Sequence, residues 1–352
     1  MKIRLGVNIT DSIRGGVKLR LNILDNLITM VIAINRLLVR YVSRFREALL
    51  LMISVFLVRA YIGGNVMPVN TRRVVNAIAS QDLQMLIYGA IIYFASGVVH
   101  IATEFILQRY FVKLAEGIVK IKLLLLNNLD RVMSSEKKLS LEDLVGRISS
   151  DVDFVVWNLN AVLTTFIPNI FTAVTAIATL LSFDTVVGLC TAPTLIPYIF
   201  IAEYYSRRAE KARFKERQAY SKSIVHIRDA VYGAENGYSM AKTLNLWKES
   251  IVKVMWYDRV YWGTSLITMF SSIGLASYIV YNFSRDDRVD VGTVAGILTA
   301  ISTGHSAFMN AVWALCIQSQ TVAAVKRILE CIGVDQKTGE KLIAVYHGEK
   351  KE

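Results

Sequence analysis

His100 and Glu104 lie four residues apart inside Leu83–Leu107, a stretch otherwise rich in apolar residues. On a helix that spacing puts the imidazole and the carboxylate on one face. Together they suit a proton-sensitive pair or a cation site, or a satisfied polar pair between helices. Ionisable groups at membrane depth are costly and are kept for a purpose. Arg59 is a third such group, late in the apolar stretch Ala48–Met67, where it could instead snorkel to the outer surface. A second polar constellation, Thr299, Ser302, Thr303, His305, Ser306, Asn310 and Trp313, runs through Ala295–Ile317. It suits the wall of a polar cavity, or the close packing that Ser and Thr provide between membrane helices. No nucleophile–base pair, carboxylate pair or metal cluster stands out, and Cys190, Cys316 and Cys331 have no metal-ligand spacing. A phosphate-cradling loop is missing too. The nearest string, beginning at Gly233, has Ala241 where the second glycine before Lys242-Thr243 must stand.

The elements that must carry these residues are membrane helices. With 54% hydrophobic residues, a mean hydropathy of +0.42 and only four prolines, the composition excludes an ordinary soluble domain. Six stretches are long enough to cross a bilayer: Ala48–Met67, Leu83–Leu107, Val155–Phe183, Thr185–Ala202, Leu266–Phe283 and Ala295–Ile317. The net charge of +12 does not signal nucleic acid, because 35 of the 40 Lys and Arg fall on one side of those spans. Arg72, Arg73, Arg285 and Arg288 lie opposite. That asymmetry predicts cytosolic termini in a plasma-membrane protein. The first 45 residues have no cleavage-site pattern, since Leu27–Ile34 is broken by Asn35 and Arg36.

The connections are lopsided. The third and fourth spans reverse within Ser182-Phe183-Asp184, whereas 108–153 and 203–259 separate the spans on the basic side. Both long connections lack proline and are rich in good helix formers, which predicts helical stalks projecting from the membrane. Ser134-Ser135-Glu136 breaks the first stalk, and Ser140-Leu141-Glu142-Asp143 resembles a capped new start. Arg147 and Asp151 then pair at i,i+4 on a return helix. Residues 17–45 mix apolar and basic positions at roughly helical spacing (Leu27, Val31, Ile34 and Leu38 against Arg36, Arg40 and Arg44), as in a helix lying along the inner surface or an ordinary surface helix. Trp247, Trp256, Tyr257, Tyr261 and Trp262 read as an interfacial belt around the fifth span. Pro168, Pro193 and Pro197 predict kinks within spans.

At this point the chain resembles the transmembrane domain of ABC exporters of the type I exporter fold. Glu142-Asp143-Leu144-Val145-Gly146-Arg147-Ile148-Ser149-Ser150-Asp151-Val152 is similar to that family's G-E-L-x-S-R-L-x-x-D-V, with Glu142 for Gly and Gly146 for Ser. Asp229-Ala230-Val231-Tyr232-Gly233 matches E-x-x-x-G with Asp for Glu, and the following G-I-x-x-V-K fits Gly237 to Lys242. Val289 to Gly296 resembles the start of the sixth helix, and Arg327-Ile328-Leu329-Glu330 its exit.

The resemblance implies an all-α polytopic fold of six transmembrane helices with long cytosolic helical extensions. It implies three regions: residues 1–45 as a cytosolic N-terminus with an interfacial elbow helix, 46–325 as the transmembrane domain, and 326–352 as a cytosolic tail. Glu142, Asp143, Leu144, Arg147, Asp151, His226, Asp229 and Gly233 would then meet an ATPase. The 27 residues after Val325 are too few for a nucleotide-binding domain. A separate nucleotide-binding subunit is therefore expected to hold ATP and Mg, with none bound by this chain. A second transmembrane subunit, identical or different, would complete the path. His100, Glu104, Thr299, Thr303, His305, Asn310 and Trp313 are the candidate path residues. The expected function is a non-enzymatic permease subunit, most naturally of an exporter. A non-transporting scaffold of the same fold and an unrelated six-span channel are the alternatives.

Overall fold

The computed structural model describes residues 35, 38–127, 148, 151–233, 237–284 and 290–332. The ordered elements among them are all helical. In chain order they are α1 (Phe45–Tyr61), a π-helical turn (Ile62–Val66), α2 (Met67–Ala79), α3 (Leu83–Asn127) and α4 (Val152–Ala161). A second π turn (Val162–Phe166) leads to α5 (Ile167–Phe183), α6 (Thr185–Thr191), a 3₁₀ turn (Ala192–Leu195), α7 (Ile196–Val231), α8 (Gly237–Ser284) and α9 (Val291–Ile332). Five stretches, Phe45–Ala79, Leu83–Leu123, Val152–Phe183, Thr185–Tyr205 and Met240–Asn282, are long and apolar enough to cross a membrane. The sixth expected span lies in α9, which has ample length at 42 residues. Its Ser, Thr, His and Asn positions set it apart from that apolar group. The first span runs on as helix to Ala79, well past the Met67 boundary expected from hydropathy.

The prolines coincide with changes of helical pitch. Pro68 and Pro168 are each the second residue after a π turn, Pro193 sits in the 3₁₀ turn, and Pro197 follows it. A proline lacks the N–H and crowds the carbonyl four residues back. For Pro68 and Pro168 that carbonyl belongs to Gly64 or Thr164, inside the widened turn, so the ladder yields locally and the helix continues.

Aspartates cap three reversals on the side opposite the stalks. Asp82 Oδ1 accepts from Met85 N at 3.0 Å, Asp184 Oδ1 from Val187 N at 2.8 Å, and Asp290 Oδ1 from Thr293 N at 2.6 Å. Asp290 also takes the Thr293 hydroxyl at 2.8 Å and an Arg72 nitrogen at 3.3 Å, while Asn76 Oδ1 accepts from Gly292 N at 2.8 Å. These contacts pin α2 to the start of α9. Burial disfavours the Asp290 charge, but the hydrogen bonds from Thr293 and Asn76 and the Arg72 cation outweigh it and hold the carboxyl below its ordinary range. A depressed pKa stabilises the fold above the unfolded value and is lost as pH falls through the folded one. Melts of wild type and Asp290→Asn should therefore differ at pH 7 and converge as pH falls through the depressed folded value; a gap that persists in acid would assign the effect to packing.

α9 is the centre of the bundle and packs against α2, α4, α5, α7 and α8. α7 and α8 form a hairpin that joins it through Leu195, Tyr198, Ala202, Tyr261, Met309 and Val312. Beyond that cluster the two helices hold each other. Trp247 Nε1 donates to Glu216 at 3.1 Å and its ring meets Tyr220 at 5.4 Å. This corrects the interfacial-belt expectation. Trp247 fastens the stalk, Tyr261 is buried and donates to the Met309 carbonyl, and Trp262 meets Trp313; Trp256 is the strongly exposed one. In the first stalk, Lys122 reaches the Asp153 carboxylate at 2.7 Å and ties the outgoing helix to the returning one.

Residues 38–45 dock on α3. Leu38, Val42 and Phe45 are buried with Leu107, Tyr110, Leu114 and Ile118, and Lys120 Nζ donates to the Tyr41 carbonyl at 2.7 Å. Arg44 adopts a left-handed φ of 58°, turning the chain into α1. The elbow is thus a packed element where it is described; residues 17–34, 36 and 37 lie outside the described set.

Candidate functional site

Arg59 does not snorkel. It stands thirteen residues beyond Arg46 and thirteen before Arg72 on one near-continuous helix. At about 1.5 Å per residue, roughly 20 Å of helix separates it from each of those arginines. There Arg59 Nη1 pairs with Glu104 Oε1 at 2.7 Å, and its Nε donates to His100 Nε2 at 3.2 Å. The expected His100/Glu104 pair is really a triad, with the cation supplied by the neighbouring helix. Removing either charge would leave the other uncompensated.

The α9 constellation separates into two faces. Thr299, Thr303, Ser306, Asn310 and Trp313 follow a four-three-four-three spacing, and all five are half-buried. They form a partly open polar stripe along α9, while Ile297, Ala300, Ile301, Ala307 and Ala311 are buried. Trp313 Nε1 donates to Asp258 of α8 at 3.3 Å. His305 is off the stripe and only 3% exposed. Its Nε2 meets Thr194 Oγ1 at 3.0 Å and its Nδ1 meets Tyr198 Oη at 3.1 Å. The Thr194 hydroxyl already donates to the Thr191 carbonyl, so it accepts from a protonated Nε2, and Nδ1 accepts from Tyr198. His305 is therefore a bolt between α9 and the 3₁₀ turn, away from the face its helix leaves open. Among the described residues, no three His, Cys, Asp or Glu side chains gather as metal ligands would.

The sequence matches the family described as ABC transporter transmembrane region over residues 48–236, more than half of the chain. The chain belongs to that family. No curated protein matches it. The match runs from α1 to the turn that follows α7, covering the first long connection and the outgoing arm of the second, which makes the chain the membrane part of an ABC transporter: an integral membrane transport region, not itself catalytic.

In an ABC transporter transmembrane region the stalk tips are of interest. Glu142, Asp143, Leu144 and Arg147 lie outside the described residues. Asp151 is buried at the base of the return helix, 2% exposed. At the second tip α7 ends at Val231, Gly233 takes a left-handed φ of 71°, and α8 begins at Gly237. That φ favours glycine, which accounts for Gly233 at this turn. Asp229 is held by Arg228 at 2.6 Å, and His226 lies one turn back on α7. Local spacing could not reveal Arg59 as partner of Glu104, Asp258 as acceptor for Trp313, or Tyr198 and Thr194 as partners of His305. Each comes from another helix, 45 to 111 positions away in sequence.

Proposed function

We propose that this chain is the permease subunit of a split ABC transporter. It forms the substrate path with a second transmembrane subunit and is driven by ATPase subunits on separate chains that hold ATP and Mg. Export is the direction, with the termini in the cytosol of a cell whose plasma membrane the chain spans. The observation that carries this is the α7–α8 hairpin. Two helices of 36 and 48 residues run far beyond the membrane spans, braced there by one another and ending in a turn at Gly233. Such a projection offers its tip to a soluble partner. The half-open polar stripe of α9 supports a path through the bundle. On this reading residues 1–45, 46–325 and 326–352 are the cytosolic elbow, the transmembrane domain and the cytosolic tail.

Purifying the full tagged chain from its native membrane in mild detergent should recover a near-stoichiometric partner carrying a phosphate loop. Recovery of the chain alone would favour the scaffold. Within the captured complex, Asp229→Lys or Arg147→Glu should leave ATP hydrolysis intact while transport falls at least about tenfold, as expected when a gating step is disconnected from chemistry. Wild-type coupling in both variants would place the contact elsewhere.

A further inference from the structure

One face of α7 changes character in order where the fourth span meets its stalk. The apolar stretch Thr185–Tyr205 ends three residues before Arg208. Ile196, Phe200, Tyr204, Arg208, Lys211 and Lys215 follow spacings of four, four, four, three and four, so they form one row along the helix. All six are exposed, Phe200 by 66% and Tyr204 by 54%. The row passes from aliphatic to aromatic to basic across the membrane boundary on the stalk side. It lies away from the face that packs on α8 and α9, where Tyr198 and Ala202 are buried.

Arg208 does not stretch away along the stalk. Its Cζ lies 3.6 Å from the centre of the Tyr204 ring, and its Nη1 donates to the Tyr204 carbonyl at 3.3 Å. The guanidinium is thus folded back toward the membrane, as the N-terminal tilt of helical side chains favours. Both contacts are with neutral groups, and among the described residues no carboxylate pairs with Arg208 or Lys211. Arg208 and Lys211 share a groove of about 520 Å³ with Phe200, Glu203 and Tyr204. Glu203 makes a contact of its own within the chain, and by helical register it and Glu210 fall about a third of a turn off the row. Glu216, on the other flank, is taken by Trp247. The charge offered at this boundary is positive, and it stands beside aromatic surface.

We propose that this face of α7 binds an anionic phospholipid of the stalk-side leaflet. Arg208 and Lys211 take the headgroup phosphate, and an acyl chain lies along Phe200 and Ile196. A guanidinium matches a phosphate with paired N–H groups, and the ammonium adds a point charge. Basic residues just beyond a span attract anionic headgroups in this way. A free phosphate would answer only the basic half of the row; a lipid answers both halves. The inference goes beyond the transporter reading and does not rest on it.

Native mass spectrometry of the full chain in neutral detergent reads the binding directly. Dioleoylphosphatidylglycerol and dioleoylphosphatidylcholine, which share acyl chains and differ in net headgroup charge, are titrated in parallel. The anionic lipid should bind at least about fivefold more tightly. Arg208→Gln with Lys211→Gln should weaken it at least about tenfold, toward the zwitterionic lipid. Lys242→Gln with Lys248→Gln removes the same charge from α8, farther out on the stalk, and should keep binding within about twofold. Equal binding of the two lipids would overturn the proposal and leave the row to a second subunit. Equal losses in the two double variants would overturn it as well, reducing the effect to unspecific attraction. So would displacement by excess inorganic phosphate, which would assign the groove to a soluble anion. Should the first double variant fail to fold, Lys211→Gln alone is set against Lys248→Gln alone, and the same inequality decides.

Discussion

Gly64→Ala should cost the folded chain about 2 kcal/mol or more, while Gly63→Ala, one residue earlier, should be neutral or slightly stabilising. Both glycines lie in the π turn between α1 and α2, so their backbones face the same demands. Their neighbours differ. A Cβ on Gly64 would run into the Thr175 hydroxyl and approach the Thr172 carbonyl at 2.7 Å and the Ala176 amide at 3.0 Å. Two of these contacts are backbone atoms of α5, which cannot rotate away. A Cβ on Gly63 would meet a Thr172 methyl at 3.8 Å, an ordinary contact. Helices without a hydrophobic drive toward one another in lipid depend on such close approaches. The adjoining Asn65–Thr179 hydrogen bond, 2.9 Å, needs the same separation. Thermal unfolding in detergent, followed by the loss of the monodisperse peak, separates the two variants. Equal midpoints would mean that α1 and α5 are not closely apposed here.

The next largest effect belongs to the polar bolt. His305→Leu should destabilise by about 3 kcal/mol, because it strands a fully buried Tyr198 hydroxyl and misfits the site. Tyr198 is 0% exposed, so water cannot replace the lost acceptor. His305→Gln can place an amide oxygen toward Tyr198 and an N–H toward Thr194, and should recover part of the loss. A double-mutant cycle with Tyr198→Phe should show coupling of at least about 0.5 kcal/mol. Additive losses would mean that the two side chains do not share a bond. Because His305 faces the interior, a folded His305→Gln transporter should keep its substrate profile. Asn310 or Trp313, on the open stripe, should change it when replaced by alanine.

Five of the six expected spans, the helical connection that α7 and α8 make and the tight reversal at Asp184 were legible in the sequence because each depends on local pattern: apolar run length, helix-forming composition and a capping residue. The triad was half legible, since His100 and Glu104 share one helix and follow its period. Arg59 belongs to another helix, and its depth depends on a first span that continues past Pro68. Hydropathy ended that span at Met67, because the Arg72-Arg73 pair looks like a boundary. Trp247 was misplaced for a related reason. An aromatic cluster at the start of a span has the composition of a membrane belt, and only the pairing of α7 with α8 shows that this ring sits on a stalk. His305 and the stripe of Thr299 and Asn310 share a segment, so composition joined what the helical period divides.

The geometry of α7 has a mechanical corollary. From the 3₁₀ turn at Ala192–Leu195 to Val231 the chain is one unbroken helix. Its 36 residues make a pointer of about 54 Å at 1.5 Å per residue. The fulcrum is a short segment with one proline inside it and another just beyond, clamped by one imidazole. A tilt of about 10° at that root sweeps the far end through roughly 9 Å on that arm. A displacement far too small to break the packing around Tyr198 and Met309 is thus magnified where the hairpin ends. Run in reverse, a coarse push on the tip is geared down to a fine adjustment beside the α9 stripe.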